Sequence, residues 1–296
     1  MSNIFKHYDE TKKYLKKTDN GLWEFTSPHV LYLTTEQGKT YSSNKEDTDY
    51  NRFHDETVEI IDNNKQDILS YFDTDFTLVD LGPEYPDKTL PLMKEMHRQN
   101  RSLHYIPVDI NPDYVQIAVN AAMPFAQKIY GMQSLFEECA DKIPTESYSS
   151  RFVFIGLTFM NFDPDKIIQM MKIIAGQGGT IGIATELITD QNSIHDIISH
   201  YQNENVRQFA LGPIKNLDID HHKIEFDIRF DNHRVEVGFI FKSPAPHLGI
   251  NIDDRMIVAV SHRYTINEFE YILKAAGSMS RLWLSKSGRT TFAISR

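Results

Sequence analysis

Three residues set the chemical question. In FTLVDLGPEYPDKTL (76–90), Asp80 and Gly82 end an apolar run, and Lys88 follows six residues after the glycine. A parallel strand ending in Asp-Leu-Gly brings its carboxyl end to the crevice where α/β sheets bind ligands. The turn and the start of the next helix offer free backbone amides to an anion, and Lys88 adds a positive charge. The spacing is not that of a phosphate-cradling loop. Lys88-Thr89 is present, but Asp87 stands where G-x-x-x-x-G-K-[ST] requires glycine. The anion can instead be a carboxylate. Asp109 closes LHYIPVDI, 27 residues after Gly82. An acid at that strand end accepts hydrogen bonds from ribose hydroxyls. Gly82 and Asp109 together point to a nucleoside cofactor; alternatively, Asp109 only caps the helix that Pro112 opens.

These residues need a scaffold, and the hydrophobic pattern supplies one. DYNRFHDETVEIIDNNKQDILSYF (49–72) reads as a helix. FTLVDLG, LHYIPVDI, RFVFIGLTF and GTIGIATEL read as strands. Between them, DKTLPLMKEMHRQN, PDYVQIAVNAAMPFAQKIY and PDKIIQMMKIIAG read as helices, the last closed by Gly176. This alternation predicts a doubly wound α/β fold with a Rossmann-like parallel sheet. IEFDIRF, HRVEVGFIFKS and DDRMIVAVSHRY then predict an antiparallel section inserted into it, with a tight turn at DNH (231–233). Thr265 and Glu268 make a capping box for TINEFEYILKAAG. SRLWLSKSGRTTFAISR reads as a closing hairpin. Residues 61–200 and 266–296 are therefore assigned to one domain, and 1–60 and 201–265 to a smaller α+β domain.

Composition narrows the class. The 296 residues are 41% apolar and 24% charged, as in a soluble globular protein, with a formal net charge of −10. That charge argues against sequence-independent nucleic-acid binding. No apolar run approaches membrane-spanning length, and the polar first twenty residues do not resemble a signal peptide. A single cysteine, Cys139, excludes an internal disulfide and suits the cytoplasm. His221 and His222 lie among acids, but neighbours on a strand point to opposite faces, which argues against a shared metal.

VDLGPEYPDKTLPLM followed by YIPVDINPDYVQIA resembles the first two motifs of the histidine-specific, S-adenosylmethionine-dependent methyltransferases, which make ergothioneine's trimethylated precursor. Further matches keep the family's order: DYNRFHDETVEII before the first strand, then FIGLTFMNFDP, SHYQNENVRQF and VAVSHRYTINEFEYILKAAG after it. The resemblance implies S-adenosylmethionine as cofactor. It implies that Lys88 meets the methionine carboxylate, that Gly82 lets the backbone approach the ligand, and that Asp109 holds the ribose. Phe136 falls where the family packs the adenine, with Leu135 in place of the family's usual Asp. Gly156 and Thr158 fall beside the sulfonium. Asp80 and Glu84 belong to the same cofactor loop, and the Glu84 carboxylate would face the cofactor's ammonium end.

For the substrate, the resemblance implies Asn161 and Tyr201 on an amino-acid head group, with Ser261 and Tyr264 nearby. The family's imidazole-recognising Glu falls on Ala259. Without that carboxylate histidine loses its main side-chain partner. The expectation is methyl transfer to a nitrogen of a small amino-acid-like substrate other than histidine. Two alternatives stay open: transfer or cyclisation of the aminocarboxypropyl chain, suggested by Glu84, and a non-catalytic binding protein of the same fold.

Overall fold

The computed structural model describes residues 2–34, 36–38, 40, 48–72, 75–144, 147–148, 150–277 and 280–296. The chain opens with a helix, Ser2–Lys13, and two short strands, β1 (Leu15–Lys17) and β2 (Trp23–Phe25). A long helix, Thr48–Leu69, leads into the alternating part. There β3 (Phe76–Leu81), helix Leu90–Arg98, β4 (Leu103–Asp109) and helix Pro112–Ala122 are followed by β5 (Lys128–Ile129), β6 (Met132–Gln133) and helix Phe136–Cys139. Next come β7 (Arg151–Ile155), helix Pro164–Ala175 and β8 (Thr180–Glu186). Helices Ile194–Tyr201 and Glu204–Asn216 precede β9 (Ile224–Asp231), β10 (Arg234–Phe241) and β11 (Arg255–His262). Helix Ile266–Ala276, β12 (Ser280–Leu284) and β13 (Thr290–Ser295) close the chain.

These elements form two compact units: 1–49 with 192–263, and 50–191 with 264–296. The sequence reading set the breaks at 60/61, 200/201 and 265/266. Both the 49/50 division and the 60/61 break fall inside the single helix Thr48–Leu69.

The larger unit is the doubly wound one. Its sheet runs β12-β13-β8-β7-β3-β4-β5, with β6 also beside β4. The β3, β4, β5, β6, β7 and β8 pairings are parallel, whereas β13 lies antiparallel to both β8 and β12. Every residue of β3 is buried, because both faces of the sheet are covered. The period of two sorts those side chains. Val79 and Leu81 join a core with Ile167, Met171, Phe269 and Leu273. Phe76 and Leu78 join another with Ile61, Ile68, Met93 and Met96. The strand order reverses between β3 and β7, the switch point where such sheets open a ligand crevice.

Two sequence-predicted elements are shorter than their apolar patterns. The helix expected over 112–130 stops at Ala122. Met123 keeps helical angles (φ −48°, ψ −38°), but Pro124 has no N–H to donate to the preceding turn. Residues 128–133 instead supply β5 and β6. The strand expected over 151–159 ends at Ile155, and Leu157–Asn161 forms a 3₁₀ turn.

The smaller unit holds a five-stranded sheet, β1-β2-β11-β10-β9. The β9–β10 turn has φ of 48° at Asn232 and 61° at His233, the two positive values that a tight hairpin turn requires. The pairing of β10 with β11 shifts between Val237 and Gly238. A Cβ at Gly238 would stand 2.2 Å from the Met256 carbonyl oxygen, so only glycine fits the bulge. His221 and His222 lie in a 3₁₀ turn, not on a strand, and their ring centroids are 4.2 Å apart. The opposite-face argument therefore does not apply to them. Among the described residues no group of three or more His, Cys, Asp or Glu is placed to hold a metal, and no helix is long and apolar enough to cross a membrane.

Candidate functional site

In the larger unit the site begins under the loop after β3. Asp80 shares the face of Leu78, and its carboxylate accepts from the hydroxyls of Thr89 and Tyr105, each at 2.9 Å. It is only 2% exposed. Burial pushes it up to about 6, against the pull of the two hydroxyls and the Lys88 charge. Thr89 stands just before helix Leu90–Arg98, so this pair ties the loop to the strand. The sequence reading placed Asp80 among the cofactor contacts. In the structure its carboxylate ties Thr89 of the loop to Tyr105 of β4.

Above that anchor, residues far apart in sequence converge. Gly82 has φ +67°, in the left-handed region. A Cβ there would lie 3.0 Å from Thr158 Oγ1 and 3.5 Å from the Phe136 ring. A Cβ at Gly156 would lie 3.5 Å from Lys88 Cδ and 3.9 Å from its Nζ. Lys88 thus extends from the β3 loop over the end of β7. The two glycines sit at the carboxyl ends of the strands that flank the switch point, and both keep a backbone surface bare. Phe136 opens a short helix and meets Phe162 with ring centroids 5.9 Å apart. Asn161 ends the 3₁₀ turn that begins one residue before Thr158.

Two carboxylates complete this edge. Glu84 is buried and has φ +47°, a conformation costing a non-glycine residue about 1–2 kcal/mol. Asp109, at the end of β4, accepts from the Asn111 amide at 2.8 Å. Burial raises Asp109 most, and the Glu84 and Asp80 charges add to it; despite the amides of Asn111 and Ile110 it reaches about 7. Asp109 is not the cap of the next helix. That role belongs to Asn111, whose side chain accepts from the Asp113 amide.

The sequence reading passed over His54, on helix Thr48–Leu69. Its Nε2 lies 3.7 Å from Asp87 Oδ2. Burial and the Lys88 charge hold its pKa below the usual value, against the pull of Asp55 and Asp87. The motif DYNRFHDE gave position but no partner, because the contact joins residues 33 apart in sequence.

In the smaller unit, Tyr201 and Ser261 meet through a residue that the sequence reading also passed over. Arg263 is 3% exposed. Its Nη2 donates to the Tyr201 hydroxyl and its Nη1 to Ser261 Oγ, both at 2.6 Å. Tyr264 belongs to the larger unit. Its ring packs 6.0 Å from Phe159 and 6.3 Å from Phe269 in the core.

Residues 16–296 match the model of a family described as histidine-specific methyltransferase, SAM-dependent. The chain belongs to that family. The family's description names it as an S-adenosylmethionine-dependent methyltransferase family. The chain is similar to N-methyltransferase fsqC of Aspergillus fumigatus, with 21% identity over 179 residues. That match covers 57% of this chain and 48% of fsqC, so the chain spans about half the length of the curated relative. Among solved structures it is similar to the plantazolicin methyltransferase BpumL bound to a triazolic desmethylPZN analog and SAH (12% identity, 99% and 98% of the two chains, TM-score 0.48). It is also similar to a SAM-dependent methyltransferase from Aquifex aeolicus (13% identity, 78% and 87%, TM-score 0.41).

The residues fit the family's cofactor. The bare backbone at Gly82 is a cradle that a Cβ would fill. Lys88 supplies a cation for a carboxylate, Asp109 an acceptor for ribose hydroxyls, and Phe136 an aromatic surface for a base.

Proposed function

We propose that this chain transfers a methyl group from S-adenosylmethionine to a nitrogen of a small amino-acid-like substrate other than histidine. The observation that carries the reading is the convergence of Gly82, Thr158 and Phe136, with Lys88 laid over Gly156. When bound, the cofactor supplies a methyl group activated by its sulfonium. Lys88, Asp109 and Phe136 are the proposed contacts for its carboxylate, ribose and adenine. Gly156 and Thr158 border the reacting end. Asn161, Tyr201 and Ser261 are the proposed substrate contacts, and the protein's contribution is to align and desolvate the two reactants.

The exclusion of histidine rests on Ala259. It lies on β11 opposite Val237, at the position that matches the family's imidazole-binding Glu. A methyl group there leaves an imidazole N–H without an acceptor, which weakens binding of that substrate.

The test incubates the protein with S-adenosylmethionine and a panel of amino acids and amines, following two products. The expected result is S-adenosylhomocysteine together with an N-methylated panel member, and little with histidine. Methylthioadenosine in its place would mean that the aminocarboxypropyl chain moves instead. No S-adenosylmethionine binding by calorimetry would remove the enzyme reading altogether.

A further inference from the structure

The smaller unit's sheet ends on β9, which pairs only with β10 among the described residues. The outer edge of β9 therefore presents backbone N–H and C=O groups with no strand beside them. The apolar side chains record the same gap. On β10, Val235, Val237, Phe239 and Phe241 are at most 2% exposed. Their partners on β9, Phe230, Ile228, Phe226 and Ile224, share that face but are only half-buried. The sheet's other margin, β1, has three residues and offers no comparable edge.

The charges along this edge are self-complementary. Glu225, Asp227, Arg229 and Asp231 alternate with the apolar set and take the opposite face. Lys223 precedes the strand, but its carbonyl accepts from the Lys242 amide at 2.8 Å, which continues the ladder by one residue. Two antiparallel copies can be laid edge to edge with Asp227 facing Asp227. Glu225 then faces Arg229, Lys223 faces Asp231, Phe226 faces Ile228 and Ile224 faces Phe230, each twice about the two-fold axis. The central carboxylates are compensated within their own chains: Asp227 accepts from Arg255 Nε at 2.5 Å and lies 3.0 Å from Arg229 Nε. A slip of one residue puts every side chain on the wrong face. A slip of two sets Glu225 against a like charge, Asp227 in one direction and Asp231 in the other. The side chains can exchange partners readily. Glu225 and Arg229 are 60% and 54% exposed, so their in-chain pairs with Lys242 and Asp227 hold them weakly. Charges on an edge strand ordinarily deter pairing; this order spares one register.

We propose that this edge is a self-association surface: β9 pairs antiparallel with β9 of a second copy, Glu225 against Arg229, and joins two five-stranded sheets into one. The contact is isologous, so it closes at two copies. It goes beyond the methyltransferase reading and does not rest on it. A single strand edge is small beside standard interfaces of about 1,200–2,000 Å², so the dimer dissociates in the micromolar range.

Sedimentation velocity of the full chain, from about 1 to about 200 μM, tests this. The wild type should pass from monomer to dimer over that range. R229E sets a carboxylate opposite Glu225, and E225R sets a guanidinium opposite Arg229, each at two symmetric positions. Either should weaken the dimer at least about tenfold. The double swap E225R/R229E should restore it. So should an equimolar mixture of the two single variants, in which each chain supplies the charges that the other requires. Thermal melts matching the wild type show that the variants fold. If either does not, K223E and D231K, alone and mixed, carry the same test. A wild type that stays monomeric at the highest concentration overturns the proposal. Single variants that dimerise like the wild type place the contact elsewhere and overturn it too. So does a mixture that stays monomeric, because the two positions then do not face each other.

Discussion

With Asp109 as the proposed ribose contact, cofactor affinity should depend on pH in the neutral range. The Asp109 carboxyl is pushed up to about 7 by burial and by the Glu84 and Asp80 charges. Only the ionised carboxylate offers every oxygen lone pair to ribose hydroxyls. The competent fraction is then about 90% at pH 8, about half at pH 7 and about 10% at pH 6, and apparent affinity scales with that fraction. S-Adenosylhomocysteine should therefore bind about ninefold more weakly at pH 6 than at pH 8, a loss of about 1.3 kcal/mol. The assay is calorimetry at constant ionic strength across that range. D109N should bind weakly with little pH dependence. E84Q should move the midpoint to lower pH, because it removes one of the charges that raise Asp109. A flat wild-type profile would refute the reasoning, and so would a D109N profile that keeps the wild-type slope.

The same shifts act on the unliganded fold. The folded values of Asp80 and Asp109 lie above the ordinary 3.8, so the folded state binds more protons and loses stability as pH rises from about 4 to 7. The melting temperature of the free protein should fall over that rise, and D109N measured at pH 7.5 should melt a few degrees higher than wild type. Gly82→Ala should cost about 1–2 kcal/mol in backbone strain, and its Cβ would press on Thr158 Oγ1 at 3.0 Å. Calorimetry should show S-adenosylhomocysteine binding lost in G82A and partly recovered in G82A/T158A. K88M should weaken that ligand about tenfold, with a smaller dependence on salt than wild type. Thr265→Ala breaks the capping box with Glu268 and should lower stability by about 1 kcal/mol, read in denaturant melts.

Local rules carried the larger unit far. Alternating apolar runs marked β3, β4, β7 and β8, and Thr265 with Glu268 marked the helix start that the structure places there. The glycine at 82 was legible because its turn has a positive φ that other residues resist. What stayed hidden depends on contacts between distant residues. Nothing near Asp80 announces that Tyr105 and Thr89 take up its carboxylate. Arg263 reads as an ordinary strand-end cation until Tyr201, 62 residues earlier, folds against it. The strands β1 and β2 have three residues each, too few to display a period.

The pairing of β2 with β11 also dictates an order of events at the ribosome. Trp23 and Glu24 find Met256 and Ile257 across more than 230 residues of chain. At about 5–20 residues per second, the N-terminal strands wait on the order of tens of seconds for their partner. A two-stranded ribbon of that length is barely stable alone in water. The edge of β8 waits less long, across the residues from Glu186 to Thr290, but it is closed last of all, since β13 consists of the residues Thr290–Ser295. A chain cut short near residue 285 would emerge with β8, buried at every position in the finished protein, as an open edge. Premature termination should therefore yield aggregates rather than a smaller working enzyme.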